Sequence, residues 1–290
     1  MLRVALLGFV LPAVSAATAL VVFRFLAPVS GERRGPVVAL AFGYLVGHLG
    51  VVGVPRLPPT ESTQALLYLV FAALVVGLVE AARPTAFARW ASRVALLGVV
   101  MWMTLRAMIR YEWGPAATGL WLFGLTALGL LLWQALHGLH GRLPALSALA
   151  GWICVFAGVG AVLVMSHSAL LAQLAWVMMV VLLGLLGVLL VRGFEGALAF
   201  GLPVLTTVLF ALLLAGTFYT DLEGYRALAL ALSPLGLVVA ELGSAATRSL
   251  RRRILLSCIG VMLLLAPVLV PVSLEYAAGS ESYDYDYSRY

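Results

Sequence analysis

Long apolar runs, separated by short polar connections, occupy almost the whole chain. Most runs are close to the roughly 20 residues that carry a helix across a bilayer. They are continuously apolar and lack the alternation of barrel strands, so each backbone segment must satisfy its own hydrogen bonds as a helix. The pattern predicts an all-α, polytopic membrane bundle of about ten transmembrane helices, at residues 4–23, 36–54, 64–80, 94–111, 115–136, 145–165, 169–191, 197–217, 226–241 and 254–274.

The second run carries a face of small residues. On a helix with about 100° per residue, Gly43, Gly47 and Gly50 fall within one narrow stripe. Small residues at this spacing let two helix backbones approach closely in lipid. We therefore expect these three glycines to pack against another helix.

A second face of the same run carries Tyr44 and His48, four residues apart. Ionisable groups inside a membrane span are rare and usually face the bundle interior or a cavity. Two interpretations stay open for His48: a ligand or proton contact, or a neutral histidine bonded to a neighbouring polar group. We predict both residues as candidate ligand-binding positions.

Composition supports the membrane assignment. The 290 residues are 63% hydrophobic and 10% charged, with a mean hydropathy of +1.10, whereas soluble domains are about 25% charged. The net charge of +6 comes from arginines in short loops, a pattern typical of membrane orientation rather than nucleic-acid binding. The expected surroundings are the lipid bilayer, with a membrane protein partner or a second copy as candidate partners and no nucleic acid.

Loop charge gives an orientation. The loops after the odd-numbered runs hold twelve arginines, and the other side holds six. The positive-inside rule then places both termini outside, in a membrane of the bacterial inner (cytoplasmic) type. Residues 1–276 would form one transmembrane domain, and the acidic, tyrosine-rich residues 277–290 a disordered tail.

Local similarities between the two halves of the chain suggest an internal repeat at an offset of about 160 residues. The segment ALAFG occurs at residues 39–43 and again at residues 197–201. Glu80 and Glu241 each end a run before an arginine-rich loop. These matches predict that runs one to four are repeated in runs seven to ten, in the same orientation.

Polar groups in the later runs supply further candidates. Run nine is short and carries Ser233 before a proline, and run eight carries Thr206 three residues after one. Broken helices free backbone carbonyls near binding sites in transporters. Arg106 and Arg110 share a face near the end of run four, where they could bind an anionic ligand or extend to the membrane surface.

No nucleotide-binding, hydrolase or metal-site motif occurs, so we predict no catalytic residue, metal or cofactor. Two function classes remain. A small-molecule or ion permease would use the candidate ligand-binding residues Tyr44, His48, Arg106, Thr206 and Ser233. A non-catalytic membrane subunit or assembly protein would instead present an apolar surface to a partner, and a membrane-embedded enzyme is less favoured.

Overall fold

The computed structural model describes residues 6–26, 28–55, 59, 61–82, 85–192, 198–244 and 249–281. These residues are almost entirely helical, and no strand occurs among them. Twelve α-helices follow one another in the described ranges. They are α1 (Leu11–Leu26), α2 (Pro28–Val52), α3 (Ser62–Ala81), α4 (Ala86–Thr104), α5 (Arg106–Tyr111), α6 (Pro115–His140), α7 (Ala145–Met165), α8 (Ala169–Arg192), α9 (Leu202–Tyr219), α10 (Gly224–Leu232), α11 (Leu237–Ser244) and α12 (Leu250–Glu281).

The predicted fold class is confirmed: the protein is an all-α polytopic bundle. Within the described ranges, nine helical stretches are long and apolar enough to cross a membrane. The first apolar helix, Gly8–Phe23, is shorter than these nine, and a π-helical turn at Leu6–Val10 precedes α1. All ten predicted runs therefore coincide with apolar helices, of which nine have full spanning length.

Run four differs most from its predicted boundaries. Its spanning helix, α4, begins at Ala86 and ends at Thr104, whereas the sequence predicted residues 94–111. Leu105 leaves the helical geometry, with φ −94° and ψ 12°, and the short helix α5 follows. Arg93 consequently lies inside a span rather than in a loop, and Arg106 lies on a separate short helix.

The glycines of α2 lie against two other helices. A Cβ at Gly43 would stand 2.7 Å from the Ala16 Cβ of α1 and 3.0 Å from a methyl group of Val181 on α8. One at Gly47 would contact α8 in the same way, through Val177. Gly50, however, is exposed, so the close packing extends over two of the three predicted positions.

The most deeply buried helix is α9. All residues from Leu202 to Gly216 are buried, including the side chains of Thr206 and Thr207. This helix packs against α3, α4, α6 and α8, and together with the 3-10 turn before it forms the full-length span Leu198–Tyr219. The bundle is therefore arranged around α9.

The interruption of run nine has a packing role. A 3-10 turn at Ser233–Gly236 separates α10 from α11, and Gly236 lies directly against the backbone of Gly260 on α12. Any side chain at either glycine would collide with the other backbone. The interruption thus lets two helix backbones touch, as small residues do in membrane bundles.

Local structure gives the predicted repeat no support. Residues 39–43 are α-helical within α2, whereas the described part of the second ALAFG copy, Leu198–Gly201, is a 3-10 turn. For the predicted tail, helix α12 continues to Glu281, and residues 282–290 lie outside the described residues.

Candidate functional site

A half-open cavity of about 670 Å³ lies at one membrane face. It is enclosed by the start of α3, the end of α4, the short helix α5 and the end of α9. A cavity of this size falls within the range of small-molecule sites. Its walls combine charged, hydroxyl and aromatic groups, namely Pro59, Glu61, Ser62, Ala65, Trp102, Met103, Thr104, Arg106, Ala107, Arg110, Tyr111 and Tyr219.

The cavity exists because the chain turns at Leu105. Helix carbonyls at a C-terminus need new partners, and here the Thr104 carbonyl accepts a hydrogen bond of 2.8 Å from the Tyr219 hydroxyl. This bond ties the end of α4 to the end of α9. The short helix α5 can therefore run along the cavity wall instead of prolonging α4.

An aromatic cluster supports the same corner. The Trp113 ring stacks on Trp121 with centroids 5.7 Å apart, and the Phe218 ring meets both edge-on at 5.3 and 5.8 Å. Pairs with these geometries stabilise a packed corner beyond their buried area. The cluster fixes the connection that follows α5 and so holds the wall of the cavity in place.

Arg106 and Arg110 give the cavity positive charge. Both side chains are exposed, and neither forms an ion pair with any residue that the structure describes. The Arg110 guanidinium lies 5.7 Å from the centroid of the Tyr111 ring. Among the predicted ligand-binding residues, Arg106 is the one that the structure places in the cavity lining.

A carboxylate on the other wall partly offsets this charge. Glu61 is exposed and accepts a 3.4 Å hydrogen bond from the Thr63 hydroxyl. The Thr104 hydroxyl, in contrast, is buried and has no hydrogen-bond partner within the described ranges. The described part of the cavity lining therefore combines two cations, one anion and several hydroxyl groups.

Tyr44 and His48 lie completely inside the bundle. Their ring centroids are 6.0 Å apart, and neither the tyrosine hydroxyl nor either histidine nitrogen has a hydrogen-bond partner among the described residues. Buried polar atoms of this kind are nearly always bonded, so three together call for an explanation. No other helix face of the described bundle carries as many buried polar atoms without a hydrogen-bond partner.

The pairing of α2 with α3 places His48 at nearly the same depth as the cavity and Tyr44 deeper. Val37 of α2 packs directly on Gly77 of the antiparallel helix α3. Moving eleven residues along each helix brings His48 to the level of Leu66, the neighbour of the cavity residue Ala65. Tyr44 and His48 lie on the same helix face as Val37, so these unsatisfied atoms face α3, the helix that contributes Ser62 and Ala65 to the cavity.

The hydroxyls of Thr206 and Ser233 are occupied locally. Thr206 donates to the Leu202 carbonyl at 2.7 Å, and Ser233 donates to the Leu230 carbonyl at 2.7 Å. Neither lines the cavity. The structure therefore does not bring these two predicted candidates together with Arg106.

The opposite membrane face contains a buried ion-pair network. The Arg93 guanidinium of α4 donates to both oxygens of Glu80 on α3, at 2.6 and 3.2 Å, and to the Gln134 side chain of α6 at 3.0 Å. Both charged side chains are 2% exposed. The guanidinium also lies 5.3 Å from the centroid of the Trp133 ring, so the network fastens three helices together.

A second ion pair lies at the same face. Arg142, after α6, donates to Glu241 on α11 at 2.7 Å, and the carboxylate raises the pKa of the guanidinium. Close by, the buried His140 ring accepts a 2.8 Å hydrogen bond from the Trp152 indole of α7. The other ring nitrogen lies 2.8 Å from the Leu136 carbonyl.

Sequence analysis missed the parts of this network that depend on pairing between distant helices. Arg93 was assigned to a loop, although an arginine within an apolar stretch signals a buried partner. Gln134 and Trp152 are ordinary residues until the fold brings them to Arg93 and His140.

Comparisons with protein-family models and with curated proteins found no match to the chain.

Proposed function

We propose that the protein is a small-molecule permease that receives its substrate in the cavity at the ends of α4 and α9. The main support is the alignment of two features on neighbouring helices. A charged cavity opens at one face, and the buried, unsatisfied atoms of Tyr44 and His48 lie on α2, which packs against the cavity helix α3. A solute moving inward would find hydrogen-bonding groups at successive depths.

The depths follow from helix geometry. Helix α2 ends at Val52 on the cavity side, so His48 lies about 6 Å and Tyr44 about 12 Å further in, at 1.5 Å per residue. Tyr44 is close to the middle of the span Arg34–Val52. Substrate sites of secondary transporters commonly lie near the bilayer midplane, which supports this pair as the inner contact.

The other half of the support is the closed opposite face. Glu80 lies eighteen residues from Ser62 at the cavity, about 27 Å along α3. Its ion pair with Arg93, and the pair between Arg142 and Glu241, join helices α3, α4, α6 and α11 on that side. Access from that side would require the helices to separate, as alternating access demands.

Orientation is part of the proposal. The arginine-rich loops lie on the ion-pair side, so the positive-inside rule places that side in the cytoplasm and the cavity outside. The membrane would be a bacterial inner membrane, with both termini outside. The cavity would then take up solutes from the external face.

A transport assay tests the proposal. The protein is reconstituted into liposomes, and uptake of inorganic phosphate, glycerol 3-phosphate and small carboxylates is measured against protein-free liposomes. We expect uptake of at least one of these solutes, reduced by the double substitution R106Q/R110Q. Folded protein that transports none of them would contradict the proposal.

The alternative, a non-catalytic membrane subunit, is favoured by the surface of α6. This helix is the least buried of the nine spanning helices in the described chain, and its Leu120 and Phe123 are 72% and 76% exposed. A partner helix or a second copy would cover such a surface, as would lipid. Native mass spectrometry from mild detergent discriminates, because the subunit requires a stable complex and the permease functions without one.

A further inference from the structure

Among the described residues that line the cavity, Arg106 and Arg110 contribute two positive charges and Glu61 one negative charge, and neither arginine is neutralised by a described residue. An anionic ligand would offset this excess of positive charge. Its anionic part must meet the arginines, because Glu61 would repel it.

The two arginines are placed to hold one anionic group between them. Positions four apart on a helix have Cβ atoms about 5–6 Å apart, so two long side chains can converge on a single group. Guanidinium groups bind the oxygens of phosphate and carboxylate through paired hydrogen bonds. A phosphate monoester has three terminal oxygens that can accept paired donors from two guanidinium groups at once, whereas a phosphodiester, like a carboxylate, has two.

The remaining polar lining suits hydroxyl groups. The Glu61 carboxylate can accept from them, and the Ser62 hydroxyl can both donate and accept. These groups share one cavity with the arginine pair.

We infer that the cavity binds a hydroxylated phosphate ester, with the phosphate on Arg106 and Arg110 and the hydroxyls on Glu61 and Ser62. The inference rests on the proposed function, since it takes the cavity as the substrate site. Two sources supply this chemistry: a free polyol phosphate from solution, or the headgroup of a glycerol-bearing phospholipid. The aromatic residues Trp102 and Tyr111 beside the arginines are typical of headgroup depth in a membrane.

Binding measurements on the purified full-length protein distinguish the two sources. Glycerol 3-phosphate is titrated calorimetrically into protein in detergent, and phosphatidylglycerol is titrated with native mass spectrometry as the readout. Each titration is repeated with R106Q/R110Q, with E61Q, and with the control R251Q/R252Q. The control removes two exposed arginines from the start of α12, outside the cavity, and so makes the same change in net charge.

We expect one of the two probes to bind with an affinity that falls about tenfold or more in R106Q/R110Q and is unchanged in the control. For E61Q we expect a smaller loss that spares inorganic phosphate, used as a third probe without hydroxyls on a carbon chain. If R106Q/R110Q loses affinity for glycerol 3-phosphate, the ligand is a free solute. If it loses affinity for phosphatidylglycerol, the ligand is a lipid headgroup.

Equal binding by R106Q/R110Q and the control, or no binding of either probe by folded wild-type protein, would overturn the inference. The thermal unfolding temperature of each variant establishes that it is folded. Failure of the proposed function is separable from failure of the inference. Binding without uptake into liposomes would refute the permease and support the phosphate-ester site, whereas uptake of carboxylates alone would support the permease and overturn the site.

Discussion

Replacing Arg93 by leucine should destabilise the protein more than any other single loss of charge in the described bundle. The guanidinium makes three hydrogen bonds, at 2.6, 3.0 and 3.2 Å, and both it and the Glu80 side chain are 2% exposed. Without Arg93, the Glu80 carboxylate stays buried and unpaired. Removing one partner of a buried ion pair costs about 3–5 kcal/mol.

This cost can be measured as a fall in unfolding temperature in detergent. For a chain of this size, 3–5 kcal/mol corresponds to a fall of roughly 5–8 °C. The matched control is Arg142→Leu, which also removes an arginine paired with a glutamate at 2.7 Å, but with a side chain that is 71% exposed. Surface ion pairs contribute little, so the control should unfold close to the wild-type temperature.

The double substitution Glu80→Leu/Arg93→Leu separates burial of charge from loss of packing. Replacing both partners by apolar groups is often neutral, so the double variant should unfold at a higher temperature than Arg93→Leu alone. If Arg93→Leu unfolds no lower than Arg142→Leu, or if the double variant is the least stable of the three, the reasoning about the buried pair is refuted.

Three further predictions concern packing, hydrogen bonding and topology. Gly43→Leu should lower the unfolding temperature by overpacking against Ala16, at a cost of about 1–3 kcal/mol or more. The control Gly98→Leu, with open space around it, should not lower it. Equal effects of the two substitutions would contradict the packing. His140→Ala should cost about 1–3 kcal/mol by leaving the Trp152 indole without a partner, with loss of near-ultraviolet dichroism as a second readout, and an unchanged unfolding temperature would argue against the bond. Reporter fusions at Arg142 and at the C-terminus should report cytoplasm and exterior respectively, and the reverse result would refute the proposed orientation.

The fold could be predicted because each span carries its own signal. Length and continuous apolarity define a membrane helix locally, with no need to know its neighbours. The glycine stripe indicated the packing face of α2 for the same reason: Gly43 and Gly47 act through their own missing side chains. Gly50 was predicted to pack as well but is exposed, because its exposure depends on the helices around the end of α2, which the stripe does not encode.

The site was less predictable because it depends on tertiary contacts. The break at Leu105 follows no proline or glycine, and it coincides with the hydrogen bond from Tyr219, 115 residues away from Thr104. Thr206 and Ser233 seemed available from sequence, yet each hydroxyl bonds to a carbonyl of its own helix. Hydroxyl groups in membrane helices often bond back to the preceding turn, which removes them from any ligand site.

Arg106 shows how far a charge pattern can be interpreted. Its pairing with Arg110 on one face was visible in the sequence, and both residues line the cavity. Their position on a separate short helix was not visible, since the residues around Leu105 have the composition of a continuous apolar helix. The chemistry of the pair could thus be predicted, whereas the cavity that surrounds it could not.

Access to His48 from both membrane faces is the most direct test of the permease proposal. His48→Cys is made in a chain whose Cys154 and Cys258 are replaced by alanine, and a membrane-impermeant thiol reagent is applied to either side of oriented liposomes. Alternating access predicts labelling from the cavity side and, more slowly, from the ion-pair side, because the completely buried position must open to each in turn. A control cysteine at the exposed cavity residue Ala107 should react from the cavity side alone. Labelling of the control with no labelling of His48→Cys from the ion-pair side would contradict transport through this bundle.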